Sequence, residues 1–178
     1  MERSIVMPLG VVVERREIDN RWQRWRWRPV AVIPGAGEVD GWKELQRGDR
    51  WVRWHAATLP LELYRTDTDA YRYNLSNKPP VIYVVLRPAE TDDAPHEVIP
   101  FRVTASPFEA QDYLDSGEEI VEGVPMPEGV IAWVQAFIDR HHVDRPFIKR
   151  QRKRHDAERT GSARRPPAAR ARGRHGRP

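Results

Sequence analysis

Two histidines are the places in this sequence where acid–base or metal chemistry would be sought. His55, in the run WVRWHAA, shares strand parity with Trp51 and Arg53, and His96 opens a second apolar stretch after a polar loop. With an Asp or Glu beside them, two imidazoles can exchange protons near neutral pH or ligate a metal. The spacing argues against it. No His-Glu-x-x-His pair is present, and the adjacent His141 and His142 would leave a helix about 100° apart. There are no cysteines, so disulfides, thiolate metal sites, thioether-linked haem and a Cys nucleophile are excluded. No phosphate-binding glycine loop, dinucleotide fingerprint or Gly-x-Ser-x-Gly elbow occurs. No catalytic, metal or cofactor-binding residue is therefore assigned, no cofactor is expected, and the chain is read as non-enzymatic.

Recognition chemistry is better represented. In RWQRWRWRPVAVIPG, Arg21 to Gly35, tryptophans and arginines alternate before an apolar run begins. A period of two puts Trp25, Trp27, Ala31 and Ile33 on one strand face and Arg24, Arg26 and Arg28 on the other. Stacking of nucleic-acid bases needs aromatics and cations on the same surface. Here they part, so the tryptophans are expected in a core and the arginines are expected to ladder across to acidic residues of a neighbouring strand. Trp22 alone keeps the parity of the arginines. The candidate interaction surface is thus Trp22, Arg24, Arg26 and Arg28, with Arg53 and His55 from the later strand.

A second cationic feature lies at the C-terminal end. From Arg145 onward there are 13 Lys and Arg against two carboxylates, a net charge of +11, whereas the preceding residues hold 17 basic and 24 acidic side chains, a net of −7. The overall pI of about 9.7 averages two unlike parts. The division predicted is an acidic β-rich globular domain over 1–148 and a disordered, arginine-rich tail over 149–178. Packed arginines with Pro, Gly and Ala cannot bury enough apolar surface to fold, yet they attract any polyanion. Lys149, Arg150, Arg152, Lys153 and Arg154 are the candidate polyanion-binding residues. With no aromatic side chain beyond His155 and His175, the tail has charge without base readout, so weak, non-specific nucleic-acid binding is what it implies.

The elements that would position these residues follow from the apolar pattern. Ile5 to Val13 reads as a strand and not as a signal peptide, because Pro8, Gly10 and the charged run Glu14–Glu17 interrupt it. Leu59, Leu61 and Leu63 alternate; Thr66–Asp69 supplies turn residues, and Tyr71, Tyr73 and Leu75 alternate again, which predicts a hairpin. Val81–Leu86 is continuous enough for a central strand, and His96–Thr104 gives another. Ser106, Pro107 and Glu109 form a capping-box start with Gly117 as the stop, so a short helix is expected between them. Val130, Ile131, Val134, Phe137, Ile138 and His141 fall on one face of a second, amphipathic helix that should pack on the sheet. The expected fold is α+β: a curled antiparallel β-meander or partly open barrel with one short and one C-terminal helix. No apolar run approaches the roughly 18 residues of a membrane span, so a cytoplasmic protein without membrane attachment is expected.

Three blocks, MPLGVVVERREIDNRWQRWRWRPVAVIPG, WVRWHAATLPLELYRTDTDAYRYNLS and HEVIPFRVTASPFEAQDYLDSGEEIVEGVPMPEGVIAWVQAFIDRHHV, resemble an uncharacterised bacterial family, a domain of unknown function associated with gene neighbourhoods of molybdenum-dependent formate dehydrogenase. The resemblance covers residues 5–150 and brings no catalytic residues. What it implies is a context: an accessory or interaction protein whose partner is a molybdoenzyme subunit or maturation factor. The competing class is a nucleic-acid-binding protein acting through the arginine-rich tail.

Overall fold

Val11, Val12 and Val13 are all buried, so the strand that carries them must be paired on both edges and covered on both faces. In the structure, a computed structural model that describes residues 3–144, this strand is β1, Ser4–Glu17. It pairs antiparallel with β2, Trp25–Pro34, on one edge and β4, Trp51–Tyr64, on the other; the short polar strand β3, Lys43–Gly48, completes a sheet in the order β2-β1-β4-β3. Two bulges face each other across β1. Val30 is the extra residue of β2, because Val12 pairs with Ala31 and Val13 with Pro29; Ala56 is the extra residue of β4, because Val11 pairs with Ala57 and Val12 with His55. Bulges increase local twist, and this pair curls the long strands.

The β2 bulge corrects the face predicted for Ala31 and Ile33, the residues that follow the tryptophans. Trp27 does point into the core, but Val30 resets the parity, so the buried partner beyond it is Val32 while Ile33 turns to the surface. A two-residue period cannot survive an inserted residue.

A second sheet is built around β5, Val81–Pro88, which is the central strand its apolar run predicts: Ile82, Val84, Val85 and Leu86 are fully buried. It is flanked antiparallel by β6, Val98–Thr104, and β7, Ile120–Pro125, in the order β6-β5-β7. The strands thus divide into two antiparallel sheets, with no closed barrel, and the chain is mixed α+β. One cluster of buried side chains joins them, with Leu9, Val11, Val13, Leu61 and Leu63 from the first sheet meeting Ile82, Val84 and Leu86 from the second.

The hairpin expected around residues 66–69 is a helix instead. A short 3₁₀ turn, Arg65–Asp67, leads into α1, Thr68–Leu75. Thr68, Tyr71 and Asn74 are the buried residues at helical spacing, whereas Tyr73 is exposed. Asn74 explains the override. It is fully buried, donates to the carbonyls of Val81 and Ala105, and accepts from the Val81 amide, so it ties the start of β5 to the end of β6. The other two helices lie where they were expected. In α2, Pro107–Ser116, the Ser106 hydroxyl accepts from the Glu109 amide and Gly117 closes the helix at φ 72°. Glu109 accepts from the Thr104 hydroxyl instead of reaching back to Ser106. In α3, Glu128–His141, the buried face is Val130, Val134, Phe137 and Ile138. No described helix is long and apolar enough to cross a membrane. The proposed boundary at 148/149 and the residues Lys149, Arg150, Arg152, Lys153 and Arg154 lie outside the described residues.

Candidate interaction surface

Alternation along β1 sends Glu14 and Arg16 to the face of the first sheet that looks away from the shared core. The register sets Glu14 opposite Arg28 and Arg53, and Arg16 opposite Arg26 and Trp51. Residues directly opposite one another share a face, so Arg16, Arg26, Arg28 and Arg53 converge around one carboxylate. Glu14 is 2% exposed and accepts from Arg53 Nε at 2.8 Å and Arg16 Nε at 3.0 Å. Burial alone would push the Glu14 carboxyl up, but the hydrogen bonds and charges of Arg16 and Arg53 outweigh it and hold the group below its ordinary value. Arg28 is left over. Its Nε is buried without a hydrogen-bond partner, and neither Arg28 nor Arg26 has a carboxylate at ion-pair distance among the described residues. The ladder to acidic residues expected of Arg24, Arg26 and Arg28 therefore holds for Arg24, just before β2, which reaches Glu17, but not for the other two.

Trp51 belongs to the same face. The Arg53 guanidinium lies 4.8 Å and that of Arg16 6.0 Å from its ring centre. The indole folds over Gly48 on β3, where an added Cβ would fall 2.2 Å from the ring, so glycine is what lets the ring lie flat there. The parity of Glu14, Arg16 and Trp51 is readable in the sequence, but their meeting depends on strand register, which alternation does not give.

Trp22 and Arg24 stand apart from this face, in the loop between β1 and β2. Trp22 is 88% exposed, with the Arg21 guanidinium 5.5 Å from its ring centre. The loop is pinned: the Trp22 amide donates to Asn20 Oδ1, the Ile18 amide to the Arg24 carbonyl, and Arg50 to Asp19 at 2.7 Å. That hydrogen bond from Arg50, with its charge, holds the Asp19 carboxyl below its ordinary range. An exposed indole on a tied loop is presented, not loosely displayed.

The two histidines are not brought together. His55 is buried on the outer face beneath the segment that follows β2: its Nε2 lies 2.9 Å from Thr58 Oγ1, and that hydroxyl donates to the Gly37 carbonyl. The Thr58 proton is committed to Gly37, so His55 Nε2 carries the hydrogen and donates. Gly10 leaves room for the ring, since a Cβ there would come within 2.8 Å of Nε2. His55 is a packing residue and not part of an exposed surface. His96 lies on the opposite, inner side among Trp27, Trp42 and Trp54, stacked on Trp42 with ring centres 3.8 Å apart. Arg15 enters the same cluster, 4.2 Å from the Trp25 ring centre. Burial and, after it, the positive charge of Arg15 lower the His96 pKa, which keeps the ring neutral. No group of three or more His, Asp or Glu side chains among the described residues is placed to hold a metal ion.

The class defined by this architecture is a mixed α+β protein of two antiparallel sheets, with an arginine-rich outer face on one of them. Residues 8–152 match the family described as "Protein of unknown function (DUF3305)", and the chain belongs to that family. No curated protein and no solved structure matches the chain.

Proposed function

We propose that this protein is a non-catalytic accessory protein whose folded domain binds an acidic surface of another protein through Arg16, Arg26, Arg28 and Arg53. The observation that carries this reading is the imbalance on the outer face: the buried carboxylate of Glu14 pairs with Arg16 and Arg53, while Arg26 and Arg28 have no carboxylate at ion-pair distance among the described residues. Arginine forks match carboxylates bidentately, and sheet backbone holds their Cα atoms at fixed spacing, so no backbone ordering is needed on binding. The resemblance to a family found beside molybdenum-dependent formate dehydrogenase supplies the partner we propose, a bacterial, cytoplasmic subunit or maturation factor of that enzyme.

The competing reading is nucleic-acid binding through residues 145–178, favoured by their net charge of +11. The two separate on capture by the immobilised full chain, by R28E/R53E, and by a chain ending at Lys149. The accessory reading expects purified formate dehydrogenase subunits to be retained by the full chain and the shortened chain and released by R28E/R53E. The nucleic-acid reading expects RNA to bind the full chain only, with affinity that falls steeply between about 50 and 200 mM salt. Failure of the full chain to retain any subunit, or equal retention by R28E/R53E, would sink the accessory reading.

A further inference from the structure

A cleft of about 380 Å³ shares only Arg26 with the arginine face. It runs along the seam where the β2 edge meets β7 and the start of β6. Its apolar floor is Trp27, Val98 and Ile120, and its rim carries Glu97, Glu118 and Glu122 against the single cation Arg26. The floor is fixed, because Trp27 Nε1 donates to Glu97 Oε2 at 2.9 Å and thereby sets both the indole and the carboxylate. The second Glu97 oxygen and the carboxylates of Glu118 and Glu122 have no ion-pair partner among the described residues. Gln23, the residue after the exposed Trp22, lines the same cleft, so Trp22 is one residue from its lining.

We propose that this cleft receives an arginine side chain from a segment of a partner protein, with Trp22 closing over the neighbouring residue of that segment. Charge complementarity selects the occupant: three carboxylates against one guanidinium favour a cation, and a floor of indole and aliphatic carbon suits the methylene stem behind it. A volume near the lower end of the roughly 300–1,000 Å³ typical of ligand sites fits one long side chain and not a folded element. The exposed Trp22 assigns the cation to a peptide, because a free small cation would leave the indole uncovered, and Trp and Arg are the residues that dominate protein interfaces. This rests on the reading of the chain as an interaction protein, but apart from Arg26 on different side chains from the arginine face.

The test uses the full chain and a fluorescein-labelled peptide, Ala-Leu-Arg-Leu-Ala, with a second peptide carrying citrulline, the neutral isostere, in place of arginine. Fluorescence anisotropy should show saturable binding of the arginine peptide and at least about tenfold weaker binding of the citrulline peptide, the factor expected for losing one charge-assisted contact set. E118Q/E122Q and W22A should each weaken the arginine peptide, while R28E/R53E should leave it unchanged. E118Q/E122Q and W22A lie at exposed or rim positions and should leave the melting curve unchanged, whereas R28E/R53E removes a hydrogen bond to the buried Glu14 and is therefore assayed below its own unfolding transition. Equal binding of the two peptides, no binding of the arginine peptide, or undiminished binding by E118Q/E122Q or W22A overturns the proposal. Loss of subunit capture in R28E/R53E with peptide binding intact would leave the arginine face and the cleft as separate sites, so the failure of one reading is distinguishable from that of the other.

Discussion

Replacing Glu14 by glutamine tests how the arginine face is held together. The carboxylate accepts two guanidinium hydrogen bonds and is 2% exposed, yet its partners Arg16 and Arg53 have side chains 46% and 37% exposed. Charge-assisted bonds of this kind contribute about 1.5–3 kcal/mol each at most. Glutamine keeps one acceptor oxygen, while its amide group faces the other guanidinium donor against donor. One bond is therefore lost outright and the other is weakened, and the half-exposed guanidiniums recover part of the loss by rehydration. The net cost should be about 2–3 kcal/mol, a large share of the roughly 5–15 kcal/mol expected for a domain. With a slope of about 2 kcal/mol per molar urea, the unfolding midpoint at pH 7 should fall by about 1–1.5 M. The difference must also depend on pH. Because the folded-state pKa of Glu14 is depressed, its stabilisation is present above the ordinary carboxylate range and is lost as pH falls through the lowered value. The parent and E14Q should accordingly converge in acid. At neutral pH the same substitution removes the negative charge at the centre of the arginine cluster, so E14Q should be less stable but bind an acidic partner at least as tightly. A midpoint within about 0.3 M of the parent at pH 7, or a gap that persists unchanged at about pH 3, would refute this account of Glu14.

Asn74→Ala should cost about 3–5 kcal/mol in urea unfolding, because it leaves the Val81 amide and the Val81 and Ala105 carbonyls without the partner each has now. Trp27→Ala should cost about 3–5 kcal/mol, and Trp25→Ala clearly less, since only Trp27 is buried; equal losses would mean that Trp25 is packed as deeply as Trp27. Gly10→Ala should destabilise by about 1–3 kcal/mol, because its Cβ meets His55 Nε2 and the Ala36 methyl inside 3.0 Å, and a melting temperature equal to the parent's would show that the ring and the following segment move aside freely.

What could be read from the sequence follows a physical boundary between local and non-local information. Ser106, Pro107, Glu109 and Gly117 mark α2 because capping is settled within a dozen residues. Val81–Leu86 announces a central strand because burial on both faces requires a continuous apolar run. Alternation failed where a long-range partner overrides it. Tyr71, Tyr73 and Leu75 have a strand period, but Asn74 between them is worth more as a buried bridge to Val81 and Ala105 than the tyrosines are as a strand face. Within the stretch His96–Thr104 read as a strand, Leu86 pairs with Pro100 and Val85 with Arg102, so a bulge that the sequence does not announce turns Phe101 outward under Arg87. The short strands β3 and β7 carry too little alternation to stand out. Of the candidate surface, Arg26, Arg28 and Arg53 were legible from parity alone; Arg16, Glu14 and Trp51 were not, because only the register of β1 against both neighbours brings them in. His55 was legible as to face but not as to cover, since the segment that buries it arrives from beyond β2.

The separation of aromatic from cationic side chains that β2 suggests is carried further by the whole sheet, and it bears on which partner the surface fits. Single-stranded nucleic acid needs open ring faces beside cations. On the inner side, Trp27, Trp42 and Trp54 pack against one another and His96, and the one cation among them, Arg15, is spent on Trp25 and Trp54. On the outer side the indole of Trp51 lies over Gly48, with Arg16 and Arg53 gathered about it, so its ring is engaged within the sheet. Trp22 is the one indole that is almost fully exposed, and a single ring is not a stacking platform. The arginines that remain without acidic partners, Arg26 and Arg28, sit on backbone that a sheet fixes, offering a rigid comb of forks without aromatic teeth. Such a comb is suited to carboxylates held equally rigidly on another folded protein, and with no open ring faces beside it, it does not fit single-stranded nucleic acid, which is the ground on which we propose a protein partner.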